Sequence, residues 1–417
     1  MIKKIFNNEP LIVLLYTMIS MLGTLIIMKI LALNLSKEDF GVYSLILSLM
    51  AFITIFPFKG IDQANGRYVS INRNENKFTE YYSNYIFFFF LIIVIYGFIF
   101  ISADFLDINL GIYIKYLWII FAYLVSEVIK ITLRTIIVAD RKRIKILLSN
   151  SIEFGLKILF LVIFSNYMTI KYIFLLFILV NFLSSINLFL ENKNDLKLEV
   201  INKTNFLFHN KRLWLFAYPF MIMAVFTWAR DMSNRWIIDF YLDKESVAIY
   251  SVLTSISLII PMGIQTILSS YIVPIIYQKE NVKKGFARRV TNVLFIVLPV
   301  IFIFIAYFID MFSIEIITIF SSSKYIYNSW ALTLLFLSYS TYTLAMYSIY
   351  EILANNQSKL LIKPSIISGV LSIISGLILI KICGLNGAIY SYMIGYISYA
   401  LFIYFEVIKY RRNSDYS

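Results

Sequence analysis

The strongest constraint on this chain is a series of twelve apolar stretches, each long enough to cross a lipid bilayer. A membrane-spanning helix needs about 20 apolar residues to cross roughly 30 Å of hydrocarbon. Of the 417 residues, 60% are hydrophobic and only 15% are charged, which excludes a water-soluble globular protein. The predicted spans, numbered 1 to 12, cover residues 11–33, 40–65, 82–102, 111–138, 144–165, 170–190, 213–238, 246–277, 290–309, 328–351, 363–381 and 387–408. The predicted fold class is an all-α polytopic membrane protein with twelve transmembrane helices.

The connections between the predicted spans differ sharply in basic residues. The even-numbered connections and both termini hold 24 Lys and Arg residues, whereas the odd-numbered connections hold five. Because cytoplasmic loops retain positive charge, both termini are predicted to be cytoplasmic. The formal net charge of +13 is therefore explained mainly by membrane topology, and no nucleic-acid partner is predicted.

An internal repeat relates the two halves of the chain. Four of eight positions are identical between Lys37–Ser44, which leads into span 2, and Lys244–Ser251, which leads into span 8. A weaker match relates Ala139–Arg141 to Ala354–Asn356. The repeat predicts two parallel six-helix lobes around a central cavity, as in transporters that work by alternating access.

The predicted lobes are residues 1–190 and 213–417, joined by a cytoplasmic linker at 191–212. Spans 2 and 8 are long and contain Pro57 and Pro261, which predict kinks or tilt. The single Cys383 and single His209 exclude a disulfide framework, a thiolate zinc site and a His-based metal site or triad within one chain.

Ionisable residues inside the predicted spans are the main functional signal, because each costs roughly 2.5 to 3.5 kcal/mol near the bilayer centre. Span 4 places Glu127, Lys130 and Arg134 on one face, and span 5 carries Glu153 and Lys157 four residues apart. Two interpretations remain open for this group. It forms an internal salt-bridge network that holds the N-terminal lobe together, or it lines the cavity.

Span 7 carries a polar stripe that contains Arg230, Asp231, Asn234 and Arg235. One carboxylate cannot neutralise two guanidiniums, and arginine is suited to bidentate phosphate binding. The stripe is predicted to face the cavity and to contact an anionic substrate. The alternative is a packed interface between the lobes.

Lys29, Lys59 and Lys115 lie near span ends, where a lysine reaches the interface by snorkelling. With these residues included, the spans carry an estimated net charge of about +4. An unpaired excess of cations should face water or an anionic ligand, and Lys29 is retained as a substrate-binding candidate. Asp62 completes the set of intramembrane carboxylates.

Several short motifs follow one another along the chain in a family-specific order. They are Ser36–Ser44 with Gly60 and Arg67, then Asn234–Ile238, Val247–Ser251 and Pro274, and finally Cys383–Ile389. In these motifs the sequence resembles the polysaccharide flippase family, whose members transport lipid-linked O-antigen and capsule oligosaccharides, within the multidrug, oligosaccharidyl-lipid and polysaccharide exporter superfamily. The family commonly has Asp where this chain has Asn234, and Asp231 is the nearest carboxylate that could substitute.

The resemblance implies a bacterial inner-membrane flippase and not an enzyme. Its substrate would be an undecaprenyl-diphosphate-linked oligosaccharide, moved from the cytoplasmic to the outer leaflet for O-antigen, lipopolysaccharide or other surface polysaccharide synthesis. The implied partners are membrane lipids and the polymerase and chain-length regulator of the same pathway. No bound cofactor is implied, but coupling to a proton or sodium gradient is. An O-antigen polymerase or ligase and a cation-coupled multidrug antiporter are the alternatives.

The candidate site residues follow from these observations. The substrate-binding candidates are Arg230, Asp231, Asn234, Arg235, Lys130, Arg134, Lys157 and Lys29, and the coupling-ion candidates are Glu127, Glu153, Asp231 and Asp62.

Overall fold

The computed structural model describes residues 9–74, 77–105, 115–140, 142–192, 203–280, 285–354 and 358–415. Within these ranges the chain is helical and contains no β-strand. The α-helices, numbered in chain order, are α1 Glu9–Asn34, α2 Lys37–Thr54, α3 Gly60–Asn74, α4 Phe78–Phe105, α5 Leu117–Ala139, α6 Arg143–Ile163, α7 Ile170–Asn192, α8 Lys203–Tyr241, α9 Lys244–Glu280, α10 Phe286–Met311, α11 Ser313–Phe320, α12 Ser329–Ala354, α13 Ile362–Cys383 and α14 Leu385–Asp415.

The helices match the predicted spans closely. In the described part of the chain, 11 helices are long and apolar enough to cross a membrane. The remaining predicted span, 111–138, coincides with α5 from Leu117 onward, and α5 carries Glu127, Lys130 and Arg134 among its apolar residues. Residues 111–114 of that prediction lie outside the described residues. The prediction of an all-α polytopic membrane protein is confirmed.

The second predicted span is interrupted at Pro57. Helix α2 ends at Thr54, and a π-helical segment, Ile55–Lys59, connects it to α3. Proline lacks an N–H group and disfavours a helical conformation in the residue before it, and Phe56 has non-helical angles of φ −110° and ψ 119°. The hydroxyl of Tyr96 donates to the Phe56 carbonyl at 2.7 Å, which satisfies a backbone group that lipid could not. The predicted kink at Pro57 is confirmed, whereas α9 continues through Pro261.

The helices pack into two compact units. Unit 1 contains the described residues within Met1–Ile12 and Leu49–Ala224, and unit 2 contains those within Val13–Ser48 and Val225–Ser417. The division of the chain into lobes at 1–190 and 213–417 stays a prediction. Helix α8 begins at Lys203, inside the predicted linker, and residues 193–202 lie outside the described residues.

Burial of the apolar spans repeats between the two halves. The apolar windows of α4 and α10, which correspond to spans 3 and 9, are each 22% buried. Those of α2 and α9, which correspond to spans 2 and 8, are each 61% buried. In these two pairs, helices at the same position in each half are equally buried, which supports the repeat inferred from the sequence.

The two repeat motifs begin their helices in the same way. The N–H of Asp39 donates to Ser36 Oγ at 3.0 Å at the start of α2. At the start of α9 the N–H of Ser246 donates to Asp243 Oδ1 at 2.7 Å. Ser36 and Asp243 occupy equivalent positions, and each satisfies a backbone donor that the first helical turn leaves free.

The helix starts of the two motifs also contact each other within unit 2. A Cβ atom added at Gly41 would lie 2.0 Å from the carbonyl oxygen of Lys244, so only glycine permits this approach. An ion pair between Lys37 Nζ and Glu245 Oε2 at 3.8 Å joins the same two helices. The motif that revealed the repeat thus has a packing role.

Candidate functional site

The polar stripe predicted on span 7 lies on α8, and Arg230 is its most enclosed member. The Arg230 side chain is 1% exposed, and its Nε donates to Asp231 Oδ1 at 3.0 Å. The centre of its guanidinium lies 4.6 to 4.7 Å from the ring centroids of Tyr342, Tyr396 and Tyr399. Arginine interacts favourably with aromatic faces. Arg230 therefore occupies a tyrosine cage inside unit 2.

Asp231 links the cage to its surroundings. Its Oδ1 accepts hydrogen bonds from both Arg230 Nε and the Tyr396 hydroxyl, the latter at 2.7 Å. Its side chain is 28% exposed. The carboxylate of the stripe is thus engaged by Arg230 and Tyr396, while remaining partly accessible.

Asn234 ties three helices together. Its Nδ2 lies 3.3 Å from the Tyr250 hydroxyl on α9 and 3.4 Å from the Ala388 carbonyl on α14. Its Oδ1 accepts a hydrogen bond from Ser391 Oγ at 3.1 Å. The side chain is fully buried, so in this structure the amide serves interior packing within unit 2.

Arg235 differs from Arg230 in having no carboxylate partner within the described ranges. It is 9% exposed, and its Nη1 makes one long contact of 3.5 Å with the Ser44 carbonyl. Its Nε is buried and has no hydrogen-bond partner among the described residues. A buried guanidinium with unfilled donors is costly unless a ligand or water completes it. Arg230 also has a buried Nη1 without a partner among the described residues, but its Nε is paired with Asp231, so Arg235 is the arginine of the stripe that lacks a carboxylate partner there.

Two tryptophans fix the position of this part of α8 against α2. Trp228 Nε1 donates to the Ser48 carbonyl, and Trp236 Nε1 donates to Ser48 Oγ, both at 2.8 Å. The two indoles lie on either side of Arg235 along α8. Their neutral hydrogen bonds to α2 therefore set the position of this stretch of α8.

The charged residues of spans 4 and 5 meet inside unit 1. Lys130 Nζ lies 2.8 Å from Glu153 Oε1 and 3.0 Å from Glu127 Oε2, and Lys157 Nζ lies 2.6 Å from Glu153 Oε1. Asn181 on α7 accepts from Lys130 at 3.1 Å and donates to Glu127 at 2.9 Å. The ion pairs of the internal salt-bridge network, one of the two interpretations from sequence, are present among these four residues and do not include Arg134. The roles of this group in holding the lobe together and in lining the cavity stay predictions.

The remaining candidates are placed separately. The Thr135 hydroxyl donates to Asp62 Oδ1 between α5 and α3. Arg134 is half-buried and makes no ion pair within the described part of the chain. Lys29 Nζ donates to the Ile319 carbonyl near the C-terminal end of α11 at 2.6 Å, where a positive charge is favoured by the helix dipole.

The structure accounts for much of the predicted intramembrane charge. Lys130 and Lys157 are balanced by Glu127 and Glu153, and Arg230 is balanced by Asp231. Among the predicted substrate-binding arginines, Arg134 in unit 1 and Arg235 in unit 2 have no carboxylate at contact distance within the described residues.

The tyrosine cage was missed in the sequence. Tyr339 and Tyr342 are three residues apart on α12, and Tyr392, Tyr396 and Tyr399 are spaced four and three apart on α14. Such spacings place side chains on one helical face. They were a usable signal, hidden by the abundance of aromatic residues: 31 Tyr and 37 Phe in the chain.

A buried ion pair between α12 and α14 was also missed. Arg411 on α14 donates through Nε and Nη2 to both oxygens of Glu351 on α12, at 2.7 to 3.1 Å. The Glu351 side chain is 6% exposed. Arg411 belongs to the basic C-terminal segment, and no local spacing relates it to a carboxylate in span 10.

Comparison with known proteins identifies the family. The model of the family described as "Polysaccharide biosynthesis protein" matches residues 9–280. This chain belongs to that family. No curated protein matches the sequence.

Solved transporter structures share the fold of this family member. An inward-facing multidrug resistance MATE family transporter of the MOP superfamily has a TM-score of 0.70 at 14% identity, covering 97% of this chain and 96% of that one. The lipid II flippase MurJ, in an inward closed conformation, has a TM-score of 0.71 at 18% identity, covering 94% of this chain and 85% of that one. An outward-facing MATE structure gives 0.65 at 14% identity and 98% coverage of both chains.

Proposed function

We propose that this polysaccharide biosynthesis family member is a flippase for undecaprenyl-diphosphate-linked oligosaccharides. It moves the repeat unit from the cytoplasmic to the outer leaflet of the bacterial inner membrane by alternating access, for O-antigen or another surface polysaccharide. Both termini lie in the cytoplasm. The family assignment, the polytopic fold and the concentration of basic residues in even-numbered connections support this proposal.

The observation that carries the proposal is the burial of Arg235 with an incomplete set of partners among the described residues. A guanidinium within a span, 9% exposed, with a partnerless Nε and no carboxylate at contact distance in the described residues, is expensive in hydrocarbon. A diphosphate supplies the missing charge and acceptors, and arginine binds phosphate with two parallel hydrogen bonds. Arg134, also without an ion-pair partner there, is the corresponding candidate of unit 1.

The coupling ion acts at a carboxylate that solvent can reach. Asp231 and Glu127 fit this requirement best, since their side chains are 28% and 20% exposed, whereas Glu153 is 8% exposed. Protonation or sodium binding at Asp231 would weaken its bonds to Arg230 and Tyr396. Asp62 is the remaining coupling candidate. A polymerase and a chain-length regulator act on the product at the outer face.

The test uses a strain that lacks the gene and is complemented with wild-type protein, Arg235→Ala or Arg235→Lys. We expect Arg235→Ala to insert at wild-type levels and to cause complete lipid-linked units to accumulate facing the cytoplasm. Arg235→Lys keeps the charge but loses bidentate geometry, so we expect partial recovery. The matched control is Arg288→Ala, which removes a cation at the start of α10, outside the stripe.

The location of the accumulated glycan decides among the alternatives. Single units that reach the outer face but fail to extend would indicate an O-antigen polymerase or ligase. Normal glycan in the deletion strain, together with lost resistance to a cationic drug, would indicate a multidrug antiporter. Normal surface glycan in Arg235→Ala would remove Arg235 from the substrate site.

A further inference from the structure

Unit 1 contains an apolar groove between α4, α5 and α7. Its volume is about 450 Å³, and its walls include Phe89, Phe90, Val125, Ile129 and Phe189. Tyr82 and Thr132 supply the polar atoms of a wall without charged residues. These helices correspond to predicted spans 3, 4 and 6, so this unit 1 groove lies at the depth of the lipid hydrocarbon.

Unit 2 contains a groove between the equivalent helices of its half, α10, α12 and α14. On α5 the lining of the unit 1 groove begins at Val125 and continues three, four and seven residues later. On α12 the lining begins at Thr341 and follows the same spacing. The last helix contributes an aromatic side chain in both cases, Phe189 on α7 and Tyr404 on α14. The two grooves thus lie between equivalent helices of the two halves.

The two grooves differ in how much of their space is open. The unit 2 groove has a volume of about 240 Å³. Phe295 on α10 stacks on Tyr404 on α14, with ring centroids 5.6 Å apart and an interplanar angle of 22°. This pair fills part of the space between α10 and α14. The unit 1 groove has nearly twice the volume, so it is the one with room for an extended chain.

We propose that the unit 1 groove binds the polyprenyl chain of the lipid-linked substrate while the head group is engaged by the protein. This inference rests on the proposed function. An occupant of an uncharged groove within the hydrocarbon must itself be apolar, because water and polar groups find no partners there. A polyprenyl chain is the apolar part of the proposed substrate, and it stays in the membrane throughout transport.

Charge at one end of the unit 1 groove fits the same lipid. Tyr82 lies near the start of α4, and the exposed Lys77 precedes that helix. Lys142, whose Nζ pairs with Asp140 Oδ2 at 2.8 Å, and Arg143 follow the lined part of α5, at the same end of the spans. Basic residues at the membrane surface attract anionic lipid head groups. A prenyl diphosphate bound here places its phosphates near the cations and its chain along α4 and α5.

The experiment uses the purified full-length chain in proteoliposomes and a polyprenyl phosphate with a diazirine on its chain. We expect cross-links to peptides of α4 and α5, competed by unlabelled polyprenyl phosphate and unaffected by added phospholipid. Ile129→Trp and Ile93→Trp fill the groove and should each lower labelling about tenfold. The matched control is Leu159→Trp, at an exposed apolar position on α6, which should leave labelling unchanged.

The outcomes separate this inference from the proposed function. Equal labelling by a photoreactive phospholipid, or labelling confined to the unit 2 groove, would show that the prenyl chain does not select the unit 1 groove. Unchanged labelling in both tryptophan variants would overturn the inference as well. Because the probe carries no sugar and needs no transport, labelling can succeed even if lipid-linked oligosaccharide does not accumulate in the deletion strain. Conversely, accumulation without groove labelling would leave the flippase proposal standing.

Discussion

The charged cluster of unit 1 and the polar stripe of unit 2 bury their cations by different means. In unit 1, Lys130 and Lys157 contact two carboxylates, and Asn181 completes the cluster with an amide. In unit 2, Arg230 shares one carboxylate with a tyrosine hydroxyl and is otherwise surrounded by aromatic rings, while Arg235 has a single long contact to a carbonyl.

The charges of the unit 1 cluster balance one another, whereas those of the unit 2 stripe do not. The unit 1 cluster is neutral, with two lysines and two glutamates, and needs no further anion. The unit 2 stripe has two arginines and one aspartate. Aromatic faces stabilise a cation without neutralising it, so the unit 2 stripe keeps a net positive charge. The comparison therefore predicts a structural role for the unit 1 cluster and anion binding for the unit 2 stripe.

The largest effect on stability is expected from Glu153→Gln in unit 1. The change leaves Lys157 without a carboxylate at contact distance among the described residues. It also removes one of the two carboxylates that contact Lys130. Breaking a buried pair by removing one partner costs about 3 to 5 kcal/mol. We expect a strong fall in the temperature at which the detergent-solubilised protein loses its monodisperse peak.

A double variant serves as the control for the unit 1 cluster. Glu153→Leu combined with Lys157→Met removes both members of one pair, and apolar replacements of a buried ion pair are often nearly neutral. It should be more stable than Glu153→Gln. If Glu153→Gln instead equals wild type in stability but loses transport, the cluster has the lining role and the contrast between the units fails.

A smaller effect than that of Glu153→Gln is expected from Tyr396→Phe in the tyrosine cage of unit 2. Tyr396→Phe keeps the ring near Arg230 and removes the hydrogen bond to Asp231, at a cost of about 1.5 to 3 kcal/mol for a bond to a charged group. Tyr396→Leu also removes the aromatic face, adding about 2 kcal/mol for a desolvated cation–π contact. The same thermal assay measures both variants. Equal stability of the Phe and Leu variants would show that the ring itself contributes nothing.

The sequence predicted the parts of this structure that depend on local pattern. Hydropathy located the spans, and the spacing of Glu127, Lys130, Glu153 and Lys157 predicted a salt-bridge network. It could not predict Asn181 as a partner, because that contact depends on how α7 packs against α5. The tyrosine cage likewise combines residues of α8, α12 and α14.

Arg230 illustrates the limit for the candidate site. Its sequence context, with one carboxylate between two arginines, predicts an excess of positive charge, and the structure retains that excess. Which arginine carries it depends on side-chain direction on α8 and on the neighbouring rings. The sequence therefore predicted the charge of the stripe but could not distinguish the caged Arg230 from the incompletely partnered Arg235.

The smallest effect is expected at Lys29, a cation of unit 2 that contacts backbone instead of a carboxylate. Its Nζ contacts the Ile319 carbonyl at 2.6 Å, and Lys324 Nζ contacts the Leu35 carbonyl, just beyond α1, at the same distance. Lys29 on α1 thus contacts the C-terminal end of α11, and Lys324, which follows α11, contacts the C-terminal end of α1.

Lys29→Met should cost about 0.3 to 1 kcal/mol of stability, as for a charge near a helix C-terminus, and Lys324→Met should cost a similar amount. Both variants should retain wild-type surface glycan. A large loss of glycan in Lys29→Met alone, at normal thermal stability, would show that Lys29 is a second anion-binding residue of unit 2. Arg235 would then no longer differ from Lys29 in this respect.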